Sequence, residues 1–135
     1  AVTIPVVVNG DCATAEDART MLALSGAAGV MIGRAAVGAP WLVGALSRAL
    51  DDGGPVQEPS GKERREAALD HLDWLVTKLG ARTGLRHARK HLAAYAEQAG
   101  TDETLRRELV TSEDVAHARR LLARAFDLDE ARQAA

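Results

Sequence analysis

Two patterns of apolar residues alternate at the start of this chain, and a third takes over after them. Ile4-Pro5-Val6-Val7-Val8 is a continuous run rich in β-branched residues, the composition of a strand buried on both faces, and Gly29-Val30-Met31-Ile32 is a shorter run of the same kind. Between them the period changes. Thr14 is placed to cap a helix, Glu16 and Asp17 fill its first turn, and Ala18, Met21 and Leu22 recur at helical spacing. Strand, helix, strand predicts a parallel βαβ unit whose post-strand loops gather at one end of the sheet.

The rest of the chain is helical in period. A helix is expected from Pro40-Trp41 to Leu50, with Leu42, Val43, Leu46 and Leu50 apolar and a stop at Asp51-Asp52-Gly53-Gly54-Pro55. The segment from Asp51 to Gly61 reads as a linker or surface loop. Ala68, Leu72, Leu75, Val76 and Leu79 stripe a helix from about Lys62 to Leu79, which Gly80 ends. Gly84 is expected to precede the next helix, about Leu85 to Ala99, with Leu85, Ala88, Leu92, Tyr95 and Ala96 on its apolar face. A short helix from Thr101 to Leu109 follows. Thr111 or Ser112 then caps a last one running to about Phe126, with Val115, Ala118, Leu121, Leu122 and Ala125 inward, and the remainder frays. Short connections make these helices antiparallel neighbours in a bundle.

The two strand-like runs end on Asn9-Gly10-Asp11 and Gly33-Arg34. A hairpin turn at Asn9-Gly10 is disfavoured by the helical period after it. In eight-stranded α/β barrels a recurrent phosphate site is built from the loops after the last two strands and the N-terminus of a short extra helix. Gly10 and Gly33 let backbone N–H groups approach an anion, Arg34 adds charge, and residues 35–38 supply the short helix. A structural βα loop with no ligand is the alternative. In the helical half, Arg86, Arg89 and Lys90 share one face, and no acid occurs between Gly80 and Ala96 although the chain carries 17 basic and 19 acidic residues. That local charge suits a phosphate backbone, against the alternative of a solvated face. His91 and Tyr95 are either stacking partners for bases or core and buttress residues, and Arg119, Arg120 and Arg124 fit a charge-balanced surface.

Other chemistry is bounded by composition. Cys12 is the only cysteine, which excludes an internal disulfide, and it is expected to pack as a small apolar side chain. His87 and His91 stand four apart with no carboxylate or cysteine to complete a metal site. No apolar run is long enough for a membrane span and no secretion signal is present, so the cytoplasm is the default compartment.

These residues together resemble the C-terminal part of bacterial tRNA-dihydrouridine synthases, most of all the B type. The resemblance rests on Ile4 to Asp11, Glu16-Asp17-Ala18, Gly29 to Arg34 and Gly38-Ala39-Pro40-Trp41, and continues through Arg89-Lys90-His91-Leu92 with Tyr95, Leu105-Arg106 and Thr111-Ser112-Glu113. Where the family often has a second aromatic before the tyrosine and a lysine soon after it, this chain has Ala94 and Glu97.

The resemblance implies an α/β part followed by an all-α part: the last two βα units of a TIM barrel, then a small helical bundle. Residues 1–55 would belong to an FMN-binding barrel, 56–127 to a helical tRNA-binding domain, and 128–135 to a frayed tail. It implies that Asn9, Gly10, Asp11, Gly33 and Arg34 hold the phosphate end of FMN, and that Arg86, Arg89 and Lys90 contact tRNA. The implied reaction reduces the C5=C6 bond of selected uridines in tRNA: NADPH reduces the flavin, hydride passes to C6, and a cysteine protonates C5. That cysteine, which is not Cys12, and a flavin-contacting lysine belong to earlier barrel strands. A barrel of this kind takes about 250 residues, so the chain is expected to be a fragment with no catalytic residue and no activity by itself, and the full-length protein a monomer. The alternatives are another FMN-dependent TIM-barrel oxidoreductase and a stand-alone helical RNA-binding module.

Overall fold

The computed structural model describes residues 2–134, which cluster into two compact units dividing between Glu58 and Pro59. In the first unit, strand β1 (Val7–Asn9) pairs in parallel with β2 (Gly29–Met31), in the register Val7 with Gly29, Val8 with Val30 and Asn9 with Met31. Helix α1 (Ala15–Ser25) makes the crossover and packs on the pair. Its start is the expected one: Thr14 Oγ1 accepts from the Asp17 amide, and the Asp17 carboxylate accepts from the Thr14 amide, a reciprocal cap. Gly26, at φ 65°, ends it in the left-handed conformation that glycine adopts without penalty.

A single 3-10 turn (Arg34–Ala36) follows β2, and helix α2 (Trp41–Asp52) returns over α1. Ala15, Leu46 and Ala49 are the buried centre of this unit, with Ile32, Leu42 and Val56 packed around them. The strands differ from expectation. They are three residues long, Ile4 and Val6 precede β1 instead of joining it, and Val7 is 60% exposed, not buried on both faces. A strand with one paired neighbour has a free edge and covers its side chains only where another layer lies on them. Val43 on α2 is likewise exposed, its place toward the core taken by Ala45 and Ala49.

The second unit is a bundle of α3 (Gly61–Leu79), α4 (Ala81–Gln98), α5 (Glu103–Thr111) and α6 (Val115–Gln133). Helix α3 packs on both α4 and α6, and α5 closes against α4 and α6. Ser60 and Glu63 form a second reciprocal cap at the start of α3. Leu69, Leu72, Leu75, Leu85, Leu92, Leu109 and Leu122 fill the centre with Ala68, Ala88, Ala96 and Ala118 between them, so small residues let the helix axes approach closely. Leu79, expected inward, is exposed in the last turn of α3, and Leu69 is buried in the earlier turns.

Gly84 does not precede a helix; it lies inside α4, whose first turn begins at Ala81 directly after Gly80. A Cβ at Gly84 would stand 2.5 Å from the Leu75 carbonyl oxygen, so the glycine is there because the α3 backbone passes against it. The cap of the last helix also moves from Thr111 or Ser112: Asp114 caps α6, while Ser112 is buried and donates to the Asp114 carbonyl; Asp102 caps α5. The expected frayed tail is helix as far as Gln133. It is held by Arg64, which donates to the Asp129 carboxylate at 3.3 Å, and by Arg132, which donates to the Ala99 carbonyl. Long-range partners offset the fraying that sequence period alone implies.

Tyr95 sits at the middle of the bundle, 1% exposed, with its hydroxyl 3.0 Å from His71 Nδ1 and its ring edge-on to Phe126. Burial pushes its phenol up to about 12. The His91 ring lies 4.6 Å from that of His71, and burial lowers both imidazoles from their ordinary range, with each other's charge and Lys90 adding to the effect on His91. The neutral rings are therefore the ones the fold accommodates.

Gly84→Ala forces a side-chain atom into the α3 backbone and should lower unfolding free energy by about 1–3 kcal/mol in a urea titration. Gly44→Ala, in α2 against only the tip of Arg48, should instead raise it by up to about 1 kcal/mol. As pH falls through about 6.5, the unfolded histidine value, the unfolded chain takes up protons that folded His71 and His91 resist, so stability present at pH 7 is progressively lost toward pH 5. The double substitution His71→Gln and His91→Gln should flatten that part of the stability-pH curve, measured by denaturant midpoints.

Candidate functional site

Both post-strand loops open at the same end of the β1–β2 pair, because parallel strands point their C-termini one way. Asn9, Gly10, Asp11, Gly33 and Arg34, the residues expected at a phosphate site, meet there. They line a cleft of about 460 Å3 with Met31, and Gly10, Asp11, Gly33 and Arg34 also line an adjoining one of about 130 Å3 with Cys12 and Ala35. The first loop is tied down at its far side: the Cys12 amide donates to the Gly10 carbonyl at 3.0 Å, and the Ala13 amide donates to the Asp17 carboxylate at 3.1 Å. Hydrogen bonding to the Thr14 side chain, and then to the amides of Ala13 and Thr14, holds the Asp17 carboxyl below its ordinary range. The loop therefore has a fixed shape.

Arg34 donates to the Asp11 carboxylate across the two loops, both side chains being exposed. Their charges cancel. Backbone donors also remain for an anion: the amides of Asp11, Arg34 and Ala35 donate to nothing among the described residues, the last two lying at the start of the 3-10 turn. A Cβ at Gly10 would press on the end of the Met21 side chain, 3.0 Å from its Cε. Cys12 is 2% exposed and burial raises its thiol, as befits a packed residue rather than a nucleophile.

The second candidate surface lies on α4. Arg86, Arg89 and Lys90 are all exposed, but they do not act as a threesome. Arg86 and Arg89 line a cleft of about 750 Å3 with Arg82, Leu85 and Glu113, and Lys90 is not among its lining residues. Arg82 escaped notice in the sequence although it extends the stripe at i, i+4 and i+7. Arg64 pairs with Asp129, Arg65 with Asp127, Arg106 with Glu103 and Arg119 with Asp73, whereas Arg82, Arg86 and Arg89 form no ion pair among the described residues, as is also true of Arg107, Arg120 and Arg124. Tyr95 belongs to the core, and His91, half-buried against His71, buttresses it.

Among the described residues no group of three or more His, Cys, Asp or Glu side chains is placed to hold a metal ion, and no helix is long and apolar enough to cross a membrane.

Residues 1–131 match the family model described as dihydrouridine synthase. The chain is 43% identical over 131 residues to a probable tRNA-dihydrouridine synthase of Rhodobacter capsulatus, covering 97% of this chain and 40% of that protein. It is 39% identical over 97 residues to tRNA-dihydrouridine synthase B of Shewanella oneidensis and 43% identical over 97 residues to that of Xanthomonas axonopodis pv. citri; each match covers 72% of this chain, and respectively 30% and 29% of the relative. The chain thus spans less than half the length of these relatives. By that match along nearly its whole length, the chain belongs to the dihydrouridine synthase family.

Proposed function

We propose that this chain works as part of an FMN-dependent tRNA-dihydrouridine synthase, to which it contributes two βα units of a TIM barrel and a helical domain that contacts tRNA. The observation that carries this is the meeting of Asn9, Gly10, Asp11, Gly33 and Arg34 at the C-terminal end of two parallel strands, where the amides of Asp11 and Arg34 have no acceptor among the described residues. Ligands of α/β barrels bind at that end. The exposed Val7 and Met31 fit strands that have further strands beside them in a closed barrel.

The residues present fit a phosphate monoester. Gly10 and Gly33 keep the approach free of side chains, the amides of Asp11, Arg34 and Ala35 donate to its oxygens, and the Arg34 guanidinium, its charge offset by Asp11, adds a side-chain donor. Asp11 touches Arg34, so its part is to hold that guanidinium over the cleft rather than to bind an anion itself. When bound, FMN supplies the hydride equivalent that reduces the C5=C6 bond of a uridine, with NADPH as the electron source. No residue of this chain is assigned a proton-transfer role. Arg86 and Arg89 engage tRNA phosphates, and Lys90 adds to the positive field of that helix.

The test uses the native polypeptide that carries these residues. Incubated with an unmodified tRNA transcript and NADPH, it should add two hydrogens to specific uridines, read by mass spectrometry of the digested RNA. A purified protein without flavin and without this activity on any transcript would overturn the proposal. Arg34→Ala should raise the dissociation constant for FMN about tenfold by loss of one charge-assisted contact, and leave that for riboflavin unchanged, both read from flavin fluorescence.

A further inference from the structure

The cleft beside α4 holds one residue that a surface made only for phosphates would exclude. Glu113 lines it together with Arg82, Arg86 and Arg89, and its carboxylate forms no ion pair or hydrogen bond with the three guanidiniums or with any other described residue. A carboxylate facing a polyanion costs affinity through like-charge repulsion unless the partner offers it a donor. Pairing with an arginine would remove that cost, and the arginines are near enough to share the cleft, yet no pair forms. An acid is favourable near the start of α6, but Asp114 already serves there, accepting from the His117 amide. Arg82 and Arg89 are separated along the α4 axis by about 10 Å, enough to reach more than one phosphate of a strand.

We infer that this cleft takes a ribonucleotide segment, with Arg82 joining Arg86 and Arg89 on its phosphates and the Glu113 carboxylate accepting a hydrogen bond from an N–H or O–H donor of the same segment. The inference rests on the proposal that α4 contacts tRNA. Two groups on RNA carry that donor chemistry: the ribose 2′-hydroxyl, and the exocyclic amine of a base, for which the amine of cytosine is a carboxylate's usual partner. Arg82 supplies affinity, and Glu113 selects among nucleic acids that have phosphates in common.

The experiment measures binding of the native polypeptide to an unmodified tRNA transcript, to a DNA strand of the same sequence, and to oligocytidylate and oligouridylate, by fluorescence anisotropy over a series of KCl concentrations. Arg82→Ala should weaken transcript binding about fivefold and reduce the slope of log affinity against log salt by about one unit, as should Arg86→Ala and Arg89→Ala. Arg82→Lys should keep the slope. Glu113→Ala should leave the salt slope in place and cut a selectivity several-fold: loss of the preference for transcript over DNA identifies the 2′-hydroxyl, and loss of the preference for oligocytidylate identifies the base amine. Glu113→Gln, which keeps an acceptor oxygen, should retain part of it. If Glu113→Ala tightens all four ligands equally, or neither preference changes, Glu113 is a repulsive charge with no donor partner and the inference is overturned for it. If Arg86→Ala and Arg89→Ala weaken binding while Arg82→Ala does not, it is overturned for Arg82. If none of the three matters, it is the tRNA role of α4 that fails. Circular dichroism of each variant confirms that the helices are retained.

Discussion

Parallel pairing of Val8 with Val30 is the constraint from which the first site descends. Parallel strands cannot be joined by a tight turn, so the chain must cross over, and α1 is that crossover. Once the strands run the same way, both loops after them open at one end whatever their sequence. The sequence then decides what the loops present there. Glycine at Gly10 and Gly33, together with a 3-10 turn whose first amides have no internal acceptor, gives that end an excess of donors. The reciprocal cap between Thr14 and Asp17 matters for the same reason: it consumes the amides on the far side of the first loop and so fixes which ones remain to be used.

In the helical unit the equivalent constraint is the approach of α3 to α4 at Gly84. With the Leu75 carbonyl 2.5 Å from where a Cβ would sit, α4 has one rotation about its own axis that fits. That rotation puts Leu85, Ala88, Leu92 and Tyr95 into the core and turns Arg82, Arg86 and Arg89 to solvent together. Gly80, at φ 78°, makes the one-residue reversal that brings the two helices side by side. The cationic surface is thus a by-product of backbone packing several ångströms away from it.

Most of this was legible in order and type. The βαβ pattern, the cap at Thr14, the α2 stop at Gly53 and the apolar face of α4 all rest on local rules, and each stands where those rules put it. The departures share a physical origin in contacts between distant residues. Gly84 reads as a helix breaker because propensity counts only its own turn, whereas its place is set by Leu75. The last turns of α6 read as a tail because their partners, Arg64 and the Ala99 carbonyl, lie far back in the chain. Arg82 was passed over because the expected helix began after it, and once Gly84 is taken as a packing residue Arg82 falls on the stripe. Val7 was expected to be buried because its composition suits a strand with neighbours on both sides, and here one edge is open. At the loop site the residues were legible and the pairing of Arg34 with Asp11 was not, since nothing in the spacing says which of two nearby charges meets the other.

The two surfaces approach a phosphate by opposite means, and the difference bears on what each is suited to hold. At the loops, backbone amides in a fixed conformation do the donating, while the side-chain charges of Asp11 and Arg34 cancel. Under the proposed function such a site would discriminate by shape and by the number of oxygens it meets, and would respond weakly to ionic strength. On α4 the donors are guanidiniums on long, exposed side chains with no acid paired to them. Under the proposed function they would adapt to a strand whose phosphates vary in position and would release counterions on contact, which makes affinity fall steeply with salt. A resident phosphate and a passing polyanion need those two different solutions.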